Sequence, residues 1–184
     1  MRIISGQARG LKLIAPDGLD TRPTTDRVKE SIFNLIIPYI PANAVLDLFA
    51  GSGALGIEAL SRRSDFGVFV ESDKEAFKVI NKNLEHSRFL EKSETILGDA
   101  ISYLRRTDKK FDIVFLDPPY NTGLLTKAVD IIFERNILTP CGIIVAESEA
   151  GGEFPPSSHF DIIKQAKYGK TTVFILKRPE KGRC

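Results

Sequence analysis

Asp47-Leu48-Phe49-Ala50-Gly51-Ser52-Gly53-Ala54-Leu55-Gly56 is the stretch on which the reading of this chain turns. An apolar run over 44–49 leads into it, and a helix-like pattern over 54–63 leads out. Gly51, Gly53 and Gly56 satisfy G-x-G-x-x-G in the right place between a strand and a helix. Glu71 lies twenty residues beyond Gly51, at the end of the next apolar run, where an acid accepts the hydroxyls of a ribose. Taken alone, this is an adenosine-cofactor site that would also fit a nicotinamide dinucleotide. Asp47 moves the reading away from a dinucleotide. It stands four residues before the first glycine, at a strand end where a pyrophosphate would be repelled. An ammonium or sulfonium would be stabilised there, even at an effective dielectric of about 20.

Outward from this loop the rhythm repeats. Apolar runs at 44–49, 67–70, 95–97, 111–116 and 143–146 alternate with helical patterns at 54–63, 74–87, 100–106 and 124–134. That alternation argues an α/β fold with a doubly wound, mostly parallel sheet, whose ligands sit at the carboxyl ends of the strands. Residues 160–164 and 171–177 read as a closing antiparallel pair joined through Tyr168-Gly169-Lys170. Upstream, Ile3-Ile4, a turn through Gly6 to Gly10 and Leu11–Ile14 read as a hairpin. Thr24-Thr25-Asp26 offers a helix cap before Val28, Ile32, Leu35 and Ile36, and Pro38 and Pro41 end that helix. The expectation is one domain over 1–184, with an N-terminal hairpin and helix (1–40) on a Rossmann-like core (44–178).

With 184 residues, 42% of them hydrophobic, the chain can build a core without a metal or disulfide framework. Cys141 and Cys184 have no metal spacing, so no metal is expected, and Cys141 reads as a small buried residue. His86 and His159 are isolated and read as structural or surface groups. No apolar run suits a membrane span, and the first residues do not read as a signal peptide, so a reducing cytoplasm is expected. The net charge of +2 hides an uneven distribution. Arg2, Arg9 and Lys12 open the chain, and seven basic residues from Lys164 onward face a single acid, Glu180. An acidic stretch with Glu147, Glu149, Glu153 and Asp161 lies between. Two basic ends would form one patch for a polyanion if the fold joined them.

The fourth apolar run delivers Asp117-Pro118-Pro119-Tyr120. An exocyclic amine on a base is a poor nucleophile because its lone pair is delocalised into the ring. A carboxylate and a backbone carbonyl that accept its two N–H bonds favour a pyramidal nitrogen with its lone pair aimed at an electrophile. Asp117 and the Pro118 carbonyl are the candidates, since a proline carbonyl is a fixed acceptor. Tyr120 offers a flat face to an extruded base, a contact worth about 1–3 kcal/mol.

The glycine loop resembles the first motif of class I S-adenosylmethionine-dependent methyltransferases, and Asp117–Tyr120 resembles the [D/N/S]-P-P-[Y/F/W] motif of amino-methyltransferases. The first likeness implies S-adenosylmethionine as cofactor, held by Asp47, Phe49, Ala50, Gly51, Ser52, Gly53, Glu71 and Ser72. Asp99-Ala100 matches the position of an acid against the adenine amino group, and Asp99 also reads as an N-cap. The block Arg2–Leu13, with Thr21-Arg22-Pro23-Thr24, Arg27–Asn34 and Tyr168–Thr172, resembles the RsmD family of bacterial 16S rRNA guanine-N2 methyltransferases. That resemblance covers nearly the whole chain. It implies a Rossmann-like class I methyltransferase fold, a mostly parallel seven-stranded sheet with an antiparallel C-terminal strand. Thr24 is then expected near the cofactor's methionine end. Arg2, Arg9, Lys12 and Arg22 are expected to position the RNA backbone of the small ribosomal subunit, with no obligate protein partner and a monomeric enzyme. Two alternatives stand beside it: an adenine-N6 methyltransferase on DNA or RNA, and a non-catalytic RNA-binding factor in ribosome assembly.

Overall fold

β1 (Ala44–Asp47) is the strand around which the others assemble, and three of its four residues are buried. Both neighbours run parallel to it: β2 (Phe66–Glu71) on one side and β4 (Phe111–Leu116) on the other. β3 (Ser93–Leu97) extends the sheet beyond β2, and β5 (Leu138–Glu149) extends it beyond β4. β7 (Thr171–Lys177) pairs antiparallel with β5, and β6 (Asp161–Tyr168) pairs antiparallel with β7. The full order is β3-β2-β1-β4-β5-β7-β6. One strand, β7, therefore opposes the other six. The computed structural model describes residues 1–16, 26–120, 122–152, 154 and 159–179.

Strand alternation divides the core between the two faces of the sheet. Leu46, Val114, Leu116, Ile144 and Ala146 point to one face, against Ile101 and Leu104 of α4 (Ala100–Arg106) and Val129 and Ile132 of α5 (Leu124–Glu134). Val45, Ile113, Phe115, Ile143 and Val145 point to the other. There they meet Ile32, Phe33 and Ile36 from α1 (Asp26–Leu35) and the turn after it, and Leu55 and Ala59 of α2 (Ala54–Ser61). Each fully buried Val, Leu, Ile or Phe among them contributes about 1.5–3 kcal/mol by leaving water. α3 (Lys74–Ser87) starts at Asp73, whose carboxylate accepts from the N–H groups of Glu75 and Ala76.

The N-terminal hairpin is smaller than its sequence pattern suggests. A single bridge, Arg2 to Lys12, stands in place of two strands. Its backbone bonds run from Ile3 N to Leu11 O (2.9 Å) and from Gly10 N to Ile3 O (2.8 Å). The arm is held instead by helices. Ile4 and Ser5 donate their N–H groups to the Glu58 carboxylate at 2.8 and 3.0 Å, and Gln7 donates to the Ser61 carbonyl at 2.7 Å. Gly6, at φ +85°, lies so close to α2 that a Cβ would come within 1.9 Å of the Ser61 oxygen. Glu58 is fully buried and also pairs with Lys29 (3.0 Å) and Arg62 (2.9 Å). Lys29 donates onward to the Arg2 carbonyl at 2.6 Å.

Three further expectations change. α2 ends at Ser61, because Arg63 turns left-handed at φ +75°. β5 runs from Leu138 to Glu149, well beyond 143–146, with a register shift against β4 between Phe111 and Ile113. Cys141 is exposed, beside Pro140, in the stretch of β5 ahead of its buried run from Gly142 to Glu147.

Candidate cofactor and amine site

The residues singled out around the glycine loop converge at the carboxyl ends of β1, β2 and β3. Gly53 adopts φ +77° as the N-cap of α2, and its N–H donates to the Ala50 carbonyl at 2.6 Å. Gly56 serves packing, because a Cβ there would come within 2.3 Å of the Phe69 ring. Gly51 (φ +54°) has nothing within 4 Å of a hypothetical Cβ, so its outer face is open to a ligand. Its N–H donates to Glu71 Oε2 at 2.8 Å, while Glu71 Oε1 accepts from Asp73 N at 2.8 Å and from the Ser72 hydroxyl at 3.4 Å. Glu71 is thereby fixed beside the loop with a lone pair on Oε2 left over for a ribose hydroxyl. Phe49, Ala50 and Ala100 turn their side chains towards the core, so what they can present to a ligand is backbone.

Asp47 is buried, and its Oδ2 accepts from Gly56 N at 2.9 Å. Burial pushes its carboxyl up from 3.8 to about 7; the Gly56 bond opposes this, and Asp117 and Glu71 add to it. The carboxylate that the sequence offers to a cation is thus also the clamp on the first turn of α2. Asp99 caps α4 through Ser102 N at 2.8 Å, and its hydrogen bonds with Ser102 hold its carboxyl below the ordinary carboxylate range. The structure shows the N-cap reading of Asp99, at the carboxyl end of β3.

Asp117-Pro118-Pro119-Tyr120 follows β4 directly, and β4 adjoins β1 with Asp47 opposite Phe115. Pro118 is buried, whereas Asp117 and Pro119 are exposed and Tyr120 is half-buried. Thr122 donates its hydroxyl to the Pro119 carbonyl at 2.8 Å, which holds the turn. The Tyr120 hydroxyl reaches Thr171 Oγ1 of β7 at 3.4 Å. The carboxylate and ring therefore stand at the strand end next to the one that opens into the glycine loop.

Sequence reasoning missed Glu147. It is 2% exposed, and burial, with Asp117 and Asp47 nearby, raises its carboxyl well above the ordinary range. The signal was present as a glutamate within two residues of an apolar run, but it read as part of a solvated acidic stretch. Asn83 was missed as well. It is fully buried and bonds both Ile14 and Ser52.

Arg2, Arg9 and Lys12 are exposed, and Arg2 pairs with Asp26 at 3.0 Å. A cleft of about 380 Å³ between the arm and α1 gathers Arg2, Arg9 and Arg27 beside Asp26 and Glu30. Arg22 and Thr24 lie outside the described residues. Among the described residues the two basic ends meet opposite ends of α1: Arg2 reaches Asp26 in its first turn, and Lys164 of β6 donates to the Leu35 carbonyl in its last, about 14 Å along the helix.

The family described as "Conserved hypothetical protein 95" matches residues 1–177. Ribosomal RNA small subunit methyltransferase D of Haemophilus influenzae is 38% identical over 172 residues, 92% of this chain and 89% of that one. Its namesake in Escherichia coli is 35% identical over 183 residues, 99% and 92% of the two chains. This chain belongs to the RsmD family. Among solved structures, the yhhF chain of Escherichia coli superposes at a TM-score of 0.84 with 35% identity, covering 97% of each chain. An RNA methyltransferase of Salinibacter ruber, solved with S-adenosyl-L-homocysteine, shares the fold at a TM-score of 0.64 and 21% identity, covering 88% and 96%. Membership of the RsmD family fits the site as built, in which a glycine loop and an Asp-Pro-Pro-Tyr turn share one end of the sheet.

Proposed function

We propose that this protein methylates the exocyclic N2 amine of a guanine in 16S rRNA of the small ribosomal subunit or its assembly intermediate, using S-adenosylmethionine. The observation that carries this is the adjacency of Asp117–Tyr120 to the glycine loop across the β1–β4 pair, in a chain of the RsmD family. The site fits the cofactor. Gly51 is open on its outer face, Glu71 holds a lone pair for the ribose, and Asp47 offers negative charge beside the loop. When bound, S-adenosylmethionine supplies an electrophilic methyl group on a sulfonium.

This chain's residues do the rest. Asp117 and the Pro118 carbonyl accept the two N–H bonds of the amine and so direct its lone pair at the methyl carbon. Tyr120 stacks on the extruded base. Asp117 would also take the proton that the amine gives up as it accepts the methyl group, which the sulfonium of the bound cofactor would supply. Asp99 takes the adenine amino group, and Phe49, Ala50, Ser52, Gly53, Ser72 and Ala100 line the cofactor. Thr24 at the methionine end, and Arg22 beside Arg2, Arg9 and Lys12 on the RNA backbone, follow the family resemblance. The enzyme works as a monomeric single domain in the cytoplasm. Among the described residues no helix is long and apolar enough to cross a membrane.

The test incubates the protein and methyl-labelled cofactor with small subunits from cells lacking the enzyme, beside naked 16S rRNA and duplex DNA. Label in N2-methylguanosine is expected, absent with Asp117→Ala while cofactor affinity stays within a few-fold. N6-methyladenosine would replace guanine with adenine as the substrate, and no label despite cofactor binding would favour an assembly factor.

A further inference from the structure

β5 continues past the point at which β4 ends. Leu116 pairs with Ala146 in parallel register, so the next residues, Asp117 and Glu147, stand side by side on neighbouring strand paths. Both follow the alternation of Phe115 and Val145, and Asp47 follows that of Val45. All three carboxyls therefore belong to the sheet face that α1 and α2 cover. Asp117 is exposed, but Glu147 is 2% exposed and its Oε1 has no hydrogen-bond partner. An ionised carboxylate in that position would be costly.

Among the described residues, no cation on the surrounding elements answers it. Opposite Glu147 on β7 stands Val173. The helices on this face bring Ile32, Phe33, Ile36, Leu55 and Ala59, while Lys29 and Arg62 are both engaged by Glu58. Among the described residues, the charged groups that act on Glu147 are the carboxyls of Asp117 and Asp47. Two like groups so close do not both ionise readily, and the buried one retains the proton.

We propose that Glu147 is the positioning residue for Asp117: the two carboxyls hold one proton between them, carried by Glu147, and the negative charge stays on Asp117. A neutral Glu147 is an O–H donor. Directed at Asp117, it fixes the orientation of that carboxylate towards the amine. The role in turnover rests on the proposed reading of Asp117, whereas the shared proton does not.

The experiment has two arms on the full-length protein. The first is an NMR titration with ¹³Cδ-labelled glutamate and neither RNA nor cofactor. One carboxyl should titrate far above the ordinary value of about 4.3. It should vanish in Glu147→Gln and fall in midpoint in Asp117→Asn, which removes the like charge. A Glu147 signal near its ordinary midpoint, or one that ignores Asp117→Asn, overturns the proposal. The second arm is the pH profile of single-turnover methyl transfer. Wild type should lose rate on the alkaline side as Glu147 ionises. Glu147→Gln, a permanent neutral donor, should lack that limb, and Glu147→Ala should lose roughly tenfold in plateau rate with unchanged S-adenosylhomocysteine affinity. A Glu147→Gln profile that overlays wild type overturns the proposal. Wild type that methylates no RNA sinks the proposed function, and the titration still decides the proton.

Discussion

Asn83 Nδ2 donates to the Ser52 carbonyl at 2.9 Å, so a residue of α3 holds the glycine loop from below. The same amide group donates to Ile14 O at 3.0 Å and accepts from Ile14 N at 2.8 Å. One buried side chain thus ties the N-terminal arm and the loop to a single helix. Asn83→Ala leaves three backbone groups without that partner. The expected loss is about 2–3 kcal/mol in denaturant unfolding, with several-fold weaker S-adenosylhomocysteine binding. Unchanged values of both would show that the loop holds its shape without this bond.

Lys29 and Glu58 form an ion pair with both side chains fully buried. Burial lowers the Lys29 pKa, and Glu58 first, then Asp26, oppose that. Lys29→Met leaves Glu58 with Arg62 as its remaining cation and should destabilise the protein by about 1.5–3 kcal/mol. Adding Glu58→Gln should recover part of the loss, since the amide oxygen still accepts from Ile4 or Ser5. A double mutant no better than Lys29→Met would mean that packing, not the half-compensated charge, sets the cost.

Asp47 makes stability and cofactor binding pull in opposite directions. Its carboxyl is raised from 3.8 to about 7 in the folded protein, so between those values the native state binds the proton that the unfolded chain releases. Folding therefore gains stability as pH falls from about 7 towards 4, and at pH 8 the buried charge costs of order 4 kcal/mol. Asp47→Asn, whose oxygen still accepts from Gly56, should be more stable than wild type at pH 8, with the gain fading by pH 5. The same change should weaken S-adenosylmethionine, with its sulfonium, more than neutral-sulfur S-adenosylhomocysteine. Unfolding at the two pH values and calorimetry with the two ligands check the two halves separately.

Tyr120 is expected to work through its ring. Its hydroxyl contact to Thr171 Oγ1 is long at 3.4 Å, so Tyr120→Phe should stay within a few-fold of wild type in kcat/KM. Tyr120→Ala should lose about 1–3 kcal/mol of base stacking, a factor of roughly 5 to 150. Equal damage from both changes would assign the role to the hydroxyl.

Elements defined by local periodicity were legible in the chain. The helices at Lys74–Ser87, Ala100–Arg106 and Leu124–Glu134 match the apolar spacing read from sequence, and so does the strand at Phe111–Leu116. β5 extends beyond the apolar run at 143–146, through Thr139-Pro140-Cys141-Gly142, where the apolar pattern is interrupted. In the fold those residues extend a strand whose slip against β4 absorbs the irregularity. The arm was read as a hairpin from its own alternation, yet most of its partners are on α2 and α3.

The order of strands and helices, the glycine loop after β1 and the Asp-Pro-Pro-Tyr turn after β4 are properties of consecutive residues, and the sequence by itself determined them. Tertiary structure alone decided that Lys29 meets Glu58, that Asn83 meets Ser52 and that Glu147 lies buried beside Asp117. A lysine, an asparagine or a glutamate in a sequence reads as solvated, because burying one alone is unfavourable. Only a fold that brings distant partners together, or holds a proton in place, makes such burial stable, and no local pattern records which partner arrives.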